Sequence, residues 1–138
     1  MASDPNRPVW IIGTGGHARV VLDLARSAGR IVNAFIEPAA DRDTGETPAF
    51  TDGFTVLRGL DTLADLESPA VAVAIGDNAH RRESTEEAER YGAVSSTLIH
   101  RSALVEDSAL LDAGAQVCIG AVVGSGALIG RGAVVNSG

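Results

Sequence analysis

The 138-residue chain carries two hydrophobic rhythms, one after the other. As far as about residue 100, short apolar runs alternate with segments spaced for helices. From Leu104 onward, apolar residues recur every six positions. Each rhythm predicts a different architecture.

In the first rhythm, "VWII" (residues 9–12) is an apolar run ending in "GTGGHA" (13–18). "RVVLDLARSAG" then places Val20, Val21, Leu24 and Ala28 at helical spacing, and Gly29 supplies a stop. "IVNAFIE" (31–37) predicts a second strand. Residues 38–53 are rich in Asp, Thr, Pro and Gly and read as a long loop. "FTVLRG" suggests a short strand, and "LDTLADL" a short helix starting at Asp61. "AVAVAIGDN" (70–78) is continuous, β-branched and uncharged up to Gly76, the pattern of a parallel strand covered on both faces. "NAHRRESTEEAERYG" predicts a polar helix ending at Gly92, capped by Asp77 or Asn78, with His80 and "RRE" on a solvated face. "AVSSTLIH" (93–100) closes this half as a strand. Strands alternating with helices predict an α/β domain with a parallel sheet and flanking helices.

The second rhythm divides into "LVEDSA", "LLDAGA", "QVCIGA", "VVGSGA", "LIGRGA" and "VVNSG". The second position is always apolar: Val105, Leu111, Val117, Val123, Ile129, Val135. The sixth is Ala throughout the complete units. A helix cannot sustain a strict period of six, and Gly/Val-rich units have poor helix propensity. Each unit therefore reads as one strand and one turn, stacked into a solenoid with parallel pairing. Cys118 falls inside a unit and reads as a packed side chain. The expected domains are a flexible leader (1–8), an α/β domain (9–101) and the start of a solenoid (102–138).

Composition narrows the functional classes. Aromatics are only 4%, so the core must be built from Val, Ile, Leu and Ala. The net charge of −7 argues against a nucleic-acid surface, which needs a basic stripe. All eleven basic residues are Arg, which removes Lys as a catalytic amine. A single cysteine excludes an internal disulfide framework. No apolar run approaches the ~18 residues of a membrane span. The opening "MASDPNRP" lacks the apolar region of a signal peptide, so a cytoplasmic protein is expected. The three His and one Cys show no metal-ligand spacing.

Candidate chemistry lies where the strands end. "GTGGHA" fits G-x-G-x-x-A between a strand and a helix, where backbone N–H groups and the helix start can hold a pyrophosphate. Gly13, Gly15 and Gly16 supply the close approach. His17 is a candidate donor to a phosphate or a sugar. Glu37, about 20 residues on, stands where an acid takes a ribose hydroxyl. Gly76, Asp77 and Asn78 end the central strand beside the first. The glycines also fit a tight turn with no ligand, and Asp77 a plain helix cap.

Together, "IIGTGGHARVV", "AIGDNAHR", "LIHRSALVEDSALLDAGAQV" and "GALIGRGAVVNSG" resemble the sugar O-/N-acetyltransferases of the sialic-acid and bacillosamine-pathway type. The resemblance spans residues 9–138. It implies a Rossmann-like domain followed by the first coils of a left-handed parallel β-helix of hexapeptide repeats. It implies acetyl transfer from acetyl-CoA to an amino group, or sometimes a hydroxyl, of a nucleotide-linked sugar, often a UDP-amino sugar. Gly13, Gly15, Gly16 and His17 would contact that ligand, with Glu37, Pro38 and Gly76–Asn78 further along the sheet edge. Where the family commonly has two acids, this chain has Glu37 and Pro38, and Pro38 cannot replace a carboxylate. The family's general-base His would lie beyond Gly138, as would most of the acetyl-CoA site. The chain is therefore expected to be C-terminally truncated and catalytically incompetent, and the full-length protein a homotrimer. No nucleic-acid or membrane partner is implied. Two other readings fit the same residues: an NAD(P)-binding Rossmann protein, from the glycine turn and Glu37, and a non-catalytic oligomerisation module, from the solenoid.

Overall fold

A five-stranded parallel sheet forms from the first rhythm. The computed structural model describes residues 6–38 and 47–138. Its sheet elements are β1 (Val9–Ile12), β2 (Val32–Glu37), β3 (Thr55–Arg58), β4 (Ala70–Val73) and β5 (Val94–Ser95), with helices α1 (Gly16–Ser27) and α2 (Asn78–Arg90). The spatial order is β3-β2-β1-β4-β5, with every pair parallel. Successive strand residues point to opposite faces, and both faces are covered. Val9, Ile11, Phe35, Ala72 and Ala74 pack against Val21 and Leu24 of α1. Ile12, Ile36, Val71 and Val73 pack on the other side with Leu60, Leu63 and Ala88. Burial from both sides is why these strands read as unbroken apolar runs.

Three expectations change. The run 70–78 stops being a strand at Val73, which pairs with Ile12, the last residue of β1. The expected helix from Asp61 is a 3₁₀ segment, Leu60–Asp65. The expected strand 93–100 is two strands serving two sheets. Val94 and Ser95 pair with β4, whereas β6 (Leu98–Ile99) pairs with a strand of the second rhythm. Half of the expected loop 38–53, namely residues 39–46, lies outside the described residues, as do residues 1–5 of the expected leader. Arg7, placed in that leader, is anchored: its carbonyl accepts from Arg30 Nε at 3.0 Å.

The second rhythm forms a parallel β-helix. Its strands are β7 (Leu104–Val105), β8 (Leu110–Leu111), β9 (Gln116–Val117), β10 (Val122–Val123), β11 (Leu128–Ile129) and β12 (Val134–Val135). Leu98 pairs with Gln116 and Gln116 with Val134; Leu104 pairs with Val122, and Leu110 with Leu128. Three six-residue units therefore make one coil, and the units stack as three narrow sheets. Val105, Leu111, Val117, Val123, Ile129 and Val135 line the interior with Ala109, Ala121 and Ala127, the roles expected of the second and sixth positions. Gly120 and Gly126 turn the corners at φ +69° and +71°, a conformation that favours glycine. Cys118 is 1% exposed, and burial pushes its thiol above the usual range. A thiol held protonated is a poor nucleophile, so Cys118 serves packing. Among the described residues, no helix is long and apolar enough to cross a membrane.

Candidate functional site

The strand order locates the site. From β1 the chain proceeds to β2 on one side, while β4 lies on the other, so the winding reverses between β1 and β4. Open parallel sheets bind ligands in the crevice beyond such a reversal, at the strands' carboxyl ends. The segment Gly13-Thr14-Gly15 leaves β1 there, and Ala74-Ile75-Gly76 leaves β4.

The glycines of this turn have different duties. Gly13 has φ +115°, and a Cβ on it would lie 2.5 Å from the Ala74 carbonyl oxygen. Its N–H donates to the Ile36 carbonyl at 2.8 Å, and the Ala74 N–H to the Ile12 carbonyl at 2.7 Å. Gly13 is therefore a seam between three strands. A Cβ on Gly15 or Gly16 would meet nothing within 4 Å. These two leave open space above the helix start.

Two helices begin at this edge, and only one start is capped by a side chain. Asp77 caps α2, accepting from the His80 backbone N–H at 2.8 Å. Gly15 caps α1 with no side-chain hydrogen bond, and no acid stands in the first turn. The first N–H groups of a helix lack internal partners and carry partial positive charge. The α1 start is thus the candidate anion site at this edge. Replacing Asp77 with Ala should cost about 1 kcal/mol in chemical denaturation, by loss of the cap.

The other candidate residues are drawn in by neighbours that the sequence did not single out. Thr14 Oγ1 donates to Glu37 Oε2 at 2.5 Å, tying the end of β2 to the glycine turn. Pro38 follows, half-buried. His17 Nε2 lies 2.9 Å from Gln116 Oε1 of the β-helix, and Gln116 Nε2 donates to the Val73 carbonyl at 2.8 Å. One imidazole nitrogen of His17, expected to face a ligand, faces the other lobe instead. Gly76 is open, with nothing within 4 Å of a built Cβ, but its carbonyl accepts from Arg81 Nη1 at 3.2 Å. Asn78 Oδ1 accepts from Arg81 Nη2 at 2.8 Å. Gly13–His17 and Glu37 therefore converge on the crevice, while Asp77 and Asn78 are committed to the start of α2.

Arg81 corrects the expectation that "RRE" is a solvated face. It is buried, and its Nε reaches the Gly132 carbonyl of the β-helix at 2.9 Å. No sequence signal marked it. Gln116 did carry a signal: at the first position of the repeat it stands among Leu104, Leu110, Val122, Leu128 and Val134 as the polar exception. A cavity of about 400 Å³ runs between α2 and the β-helix, lined by Asn78, Arg81, Thr85, Glu86, Arg131 and Gly132 among others. Its lining includes no residue of the glycine turn. Of its arginines, Arg82 is paired with Glu86 and Arg131 with Glu89, while the donors of Arg81 are spent on three carbonyls and the Asn78 amide. The open helix start is the better candidate for a phosphate.

Known proteins share this fold. The profile of the family described as PglD N-terminal domain matches residues 8–88. The acetyltransferase domain of PglB from Neisseria gonorrhoeae, solved in complex with acetyl coenzyme A, is 35% identical. The match covers 95% of this chain and 62% of that one, with a TM-score of 0.80. PerB from Caulobacter crescentus, solved with CoA and GDP-perosamine, is 34% identical over 95% of this chain and 60% of its own, also with a TM-score of 0.80. The chain thus spans about three-fifths of the length of these structures. No curated protein sequence matches. With a glycine turn at the reversal of a five-stranded sheet, a β-helix of hexapeptide units behind it, and a family match over more than half its length, the chain belongs to the PglD N-terminal domain family.

Proposed function

We propose that the chain carries the nucleotide-sugar site of a sugar N-acetyltransferase, an enzyme that moves an acetyl group from acetyl-CoA to an amino group of a diphosphate-linked sugar. The observation that carries this reading is the uncapped, acid-free start of α1, opening through Gly15 and Gly16 onto the crevice. A diphosphate supplies the negative charge such a start attracts. Glu37, held by Thr14 through one oxygen, stands where it can take a ribose hydroxyl. A UDP-amino sugar is the favoured ligand. PerB was solved with a GDP-linked sugar and PglB with acetyl-CoA, which supports the donor and the ligand class. Use of acetyl-CoA goes with a cytoplasmic setting.

Self-association belongs to the same reading. Leu104, Leu110, Val122 and Leu128 point outward in two columns of the β-helix and are 64–76% exposed. Apolar columns of this kind support packing of one β-helix on another, as in a homotrimer. Light scattering should give a mass of three chains; a monomer at micromolar concentration would remove this part.

The substitution Gly15→Asp tests the site directly. Gly15 is extended, at φ −83°, with free space around it, so Asp fits there as an N-cap. Stability should be unchanged or rise by a few tenths of a kcal/mol. Calorimetric affinity for a UDP- or GDP-linked amino sugar should fall about tenfold or more, because a carboxylate occupies the anion site (a loss of ~1.4 kcal/mol). Unaltered binding by the folded variant would place the nucleotide elsewhere and end this reading.

A further inference from the structure

We propose that Gln116 is a positioning residue that fixes the tautomer of His17, leaving His17 Nδ1 as an acceptor that reads a hydroxyl or amino hydrogen of the sugar and not a phosphate. The ligand half of this inference rests on the proposed function; the tautomer half does not.

The argument starts from a buried amide. Gln116 is 1% exposed, in the outward column that also holds Leu98 and Val134. This column faces the sheet domain, and burying an amide there is costly unless both its ends are paired. Both ends are paired, and the pairing has a direction. The Val73 carbonyl can only accept, so the atom 2.8 Å from it must be the amide nitrogen; the flipped amide would set two oxygens against each other. The amide oxygen therefore faces His17. Being an acceptor, it requires a hydrogen on His17 Nε2, 2.9 Å away. A main-chain carbonyl at the end of β4 thus determines, through one amide, which nitrogen carries the proton in the first turn of α1.

What remains for a ligand follows. Among the described residues His17 Nδ1 has no hydrogen-bond partner. In the neutral ring with hydrogen on Nε2, Nδ1 has a lone pair and no hydrogen. A phosphate oxygen also offers only lone pairs, so the two do not bond. A sugar hydroxyl or amine can donate to Nδ1. The labour divides accordingly: the α1 N–H groups take the diphosphate, and His17 takes the sugar. Because Gln116 belongs to the β-helix and Val73 to β4, the sugar-reading nitrogen is set correctly only when the two lobes are docked.

Two measurements on the full chain test the two halves. Long-range nitrogen–proton NMR of the labelled protein, in mildly alkaline buffer, should show His17 Nε2 protonated and Nδ1 bare, with a slowly exchanging Nε2 proton. In Gln116→Leu, where Leu matches the neighbouring residues of the column, that slow proton should be lost. A bare Nε2 in the wild type overturns the proposal without any variant, so a folding failure of Gln116→Leu does not shelter it. Binding of His17→Ala to a nucleoside diphosphate and to the corresponding diphosphate-linked amino sugar is then compared. Affinity for the sugar nucleotide should fall about tenfold and that for the diphosphate less than about twofold, the scale of one hydrogen bond. Equal losses would assign His17 to the phosphate and overturn the ligand half. If the wild type binds neither compound, the proposed function fails and takes the ligand half with it, while the NMR result still decides the tautomer.

Discussion

Gly13→Ala is expected to cost about 3–5 kcal/mol, most of the stability of an ordinary domain at the lower end of the usual range. Two effects add. A side chain at φ +115° is strained by about 1–3 kcal/mol wherever it occurs. The new Cβ also lies 2.5 Å from the Ala74 carbonyl oxygen, main-chain atoms that cannot swing aside. Relief requires parting the ends of β1 and β4, and with them the hydrogen bonds from Gly13 to Ile36 and from Ala74 to Ile12. Gly15→Ala and Gly16→Ala provide the contrast, since neither meets an obstacle and neither has positive φ. Both should stay within about 1 kcal/mol of the wild type in guanidinium denaturation, Gly15→Ala slightly less stable as a poorer N-cap and Gly16→Ala slightly more stable as a better helical residue. Three glycines in one motif thus separate into one that serves the fold and two that leave room for a ligand. A Gly13→Ala protein as stable as Gly15→Ala would refute the close seam.

That separation shows where the sequence was informative. The six-residue period was legible because each unit is short and self-similar. Its second position points inward at every repeat, so Val105 through Val135 announce themselves without knowledge of the rest of the chain. The α/β pattern was legible for a related reason: a strand buried on both faces, such as "AVAV", has no polar beat to confuse it. What pairs with a strand was not legible. Val94 and Leu98 are both apolar residues in one extended stretch, yet one completes the sheet and the other begins the β-helix. The choice lies with their partners, Ala70 and Gln116, both remote in sequence. The length of β4 was misjudged likewise: residues beyond Val73 remain apolar, but β1 has already ended beside them.

The candidate site divides in the same way. The glycine turn and Glu37 are local to strand ends, and periodicity alone put them there. His17 was legible as a residue at a helix start, but its partner was not. Gln116 lies 99 residues away and acts through the docking of two lobes whose orientation no local pattern encodes. The polar residue in an apolar column was the one available clue, and it becomes informative only when the three faces of a coil are told apart. The helix 78–90 misled because its buried face is made of Arg81, Ser84, Thr85 and Ala88. Hydrophobic periodicity cannot find a face built from paired polar groups.

Arg81→Met should be the second most damaging substitution, at about 2–4 kcal/mol, through loss of a link between the lobes. The guanidinium donates to the Gly132, Ile75 and Gly76 carbonyls and to Asn78 Oδ1, at 2.9, 3.1, 3.2 and 2.8 Å. An Arg near the start of a helix is opposed by the helix dipole, so its place there has to be made good elsewhere. The carbonyls at the exit of β4 and at the β-helix corner supply that compensation. Met preserves the apolar stem but leaves four part-buried oxygens without this donor, each costing about 0.5–1 kcal/mol after partial rehydration. Arg81→Lys should recover less than half of the loss, because a single ammonium on a flexible stem cannot span the fork that reaches Gly132 on one side and Asn78 on the other. Hydrogen exchange separates a clamp between lobes from a merely buried side chain. In Arg81→Met at temperatures where the chain is still folded, the Gln116 and Cys118 amides, bonded to Ala133 and Val135 in the neighbouring coil, should exchange markedly faster. The Ala74 amide in the sheet should remain protected, since its partner Ile12 belongs to the same domain. Uniform acceleration at all three would mean that Arg81 contributes only to global stability. Unchanged exchange together with unchanged stability would mean that the four oxygens do without it.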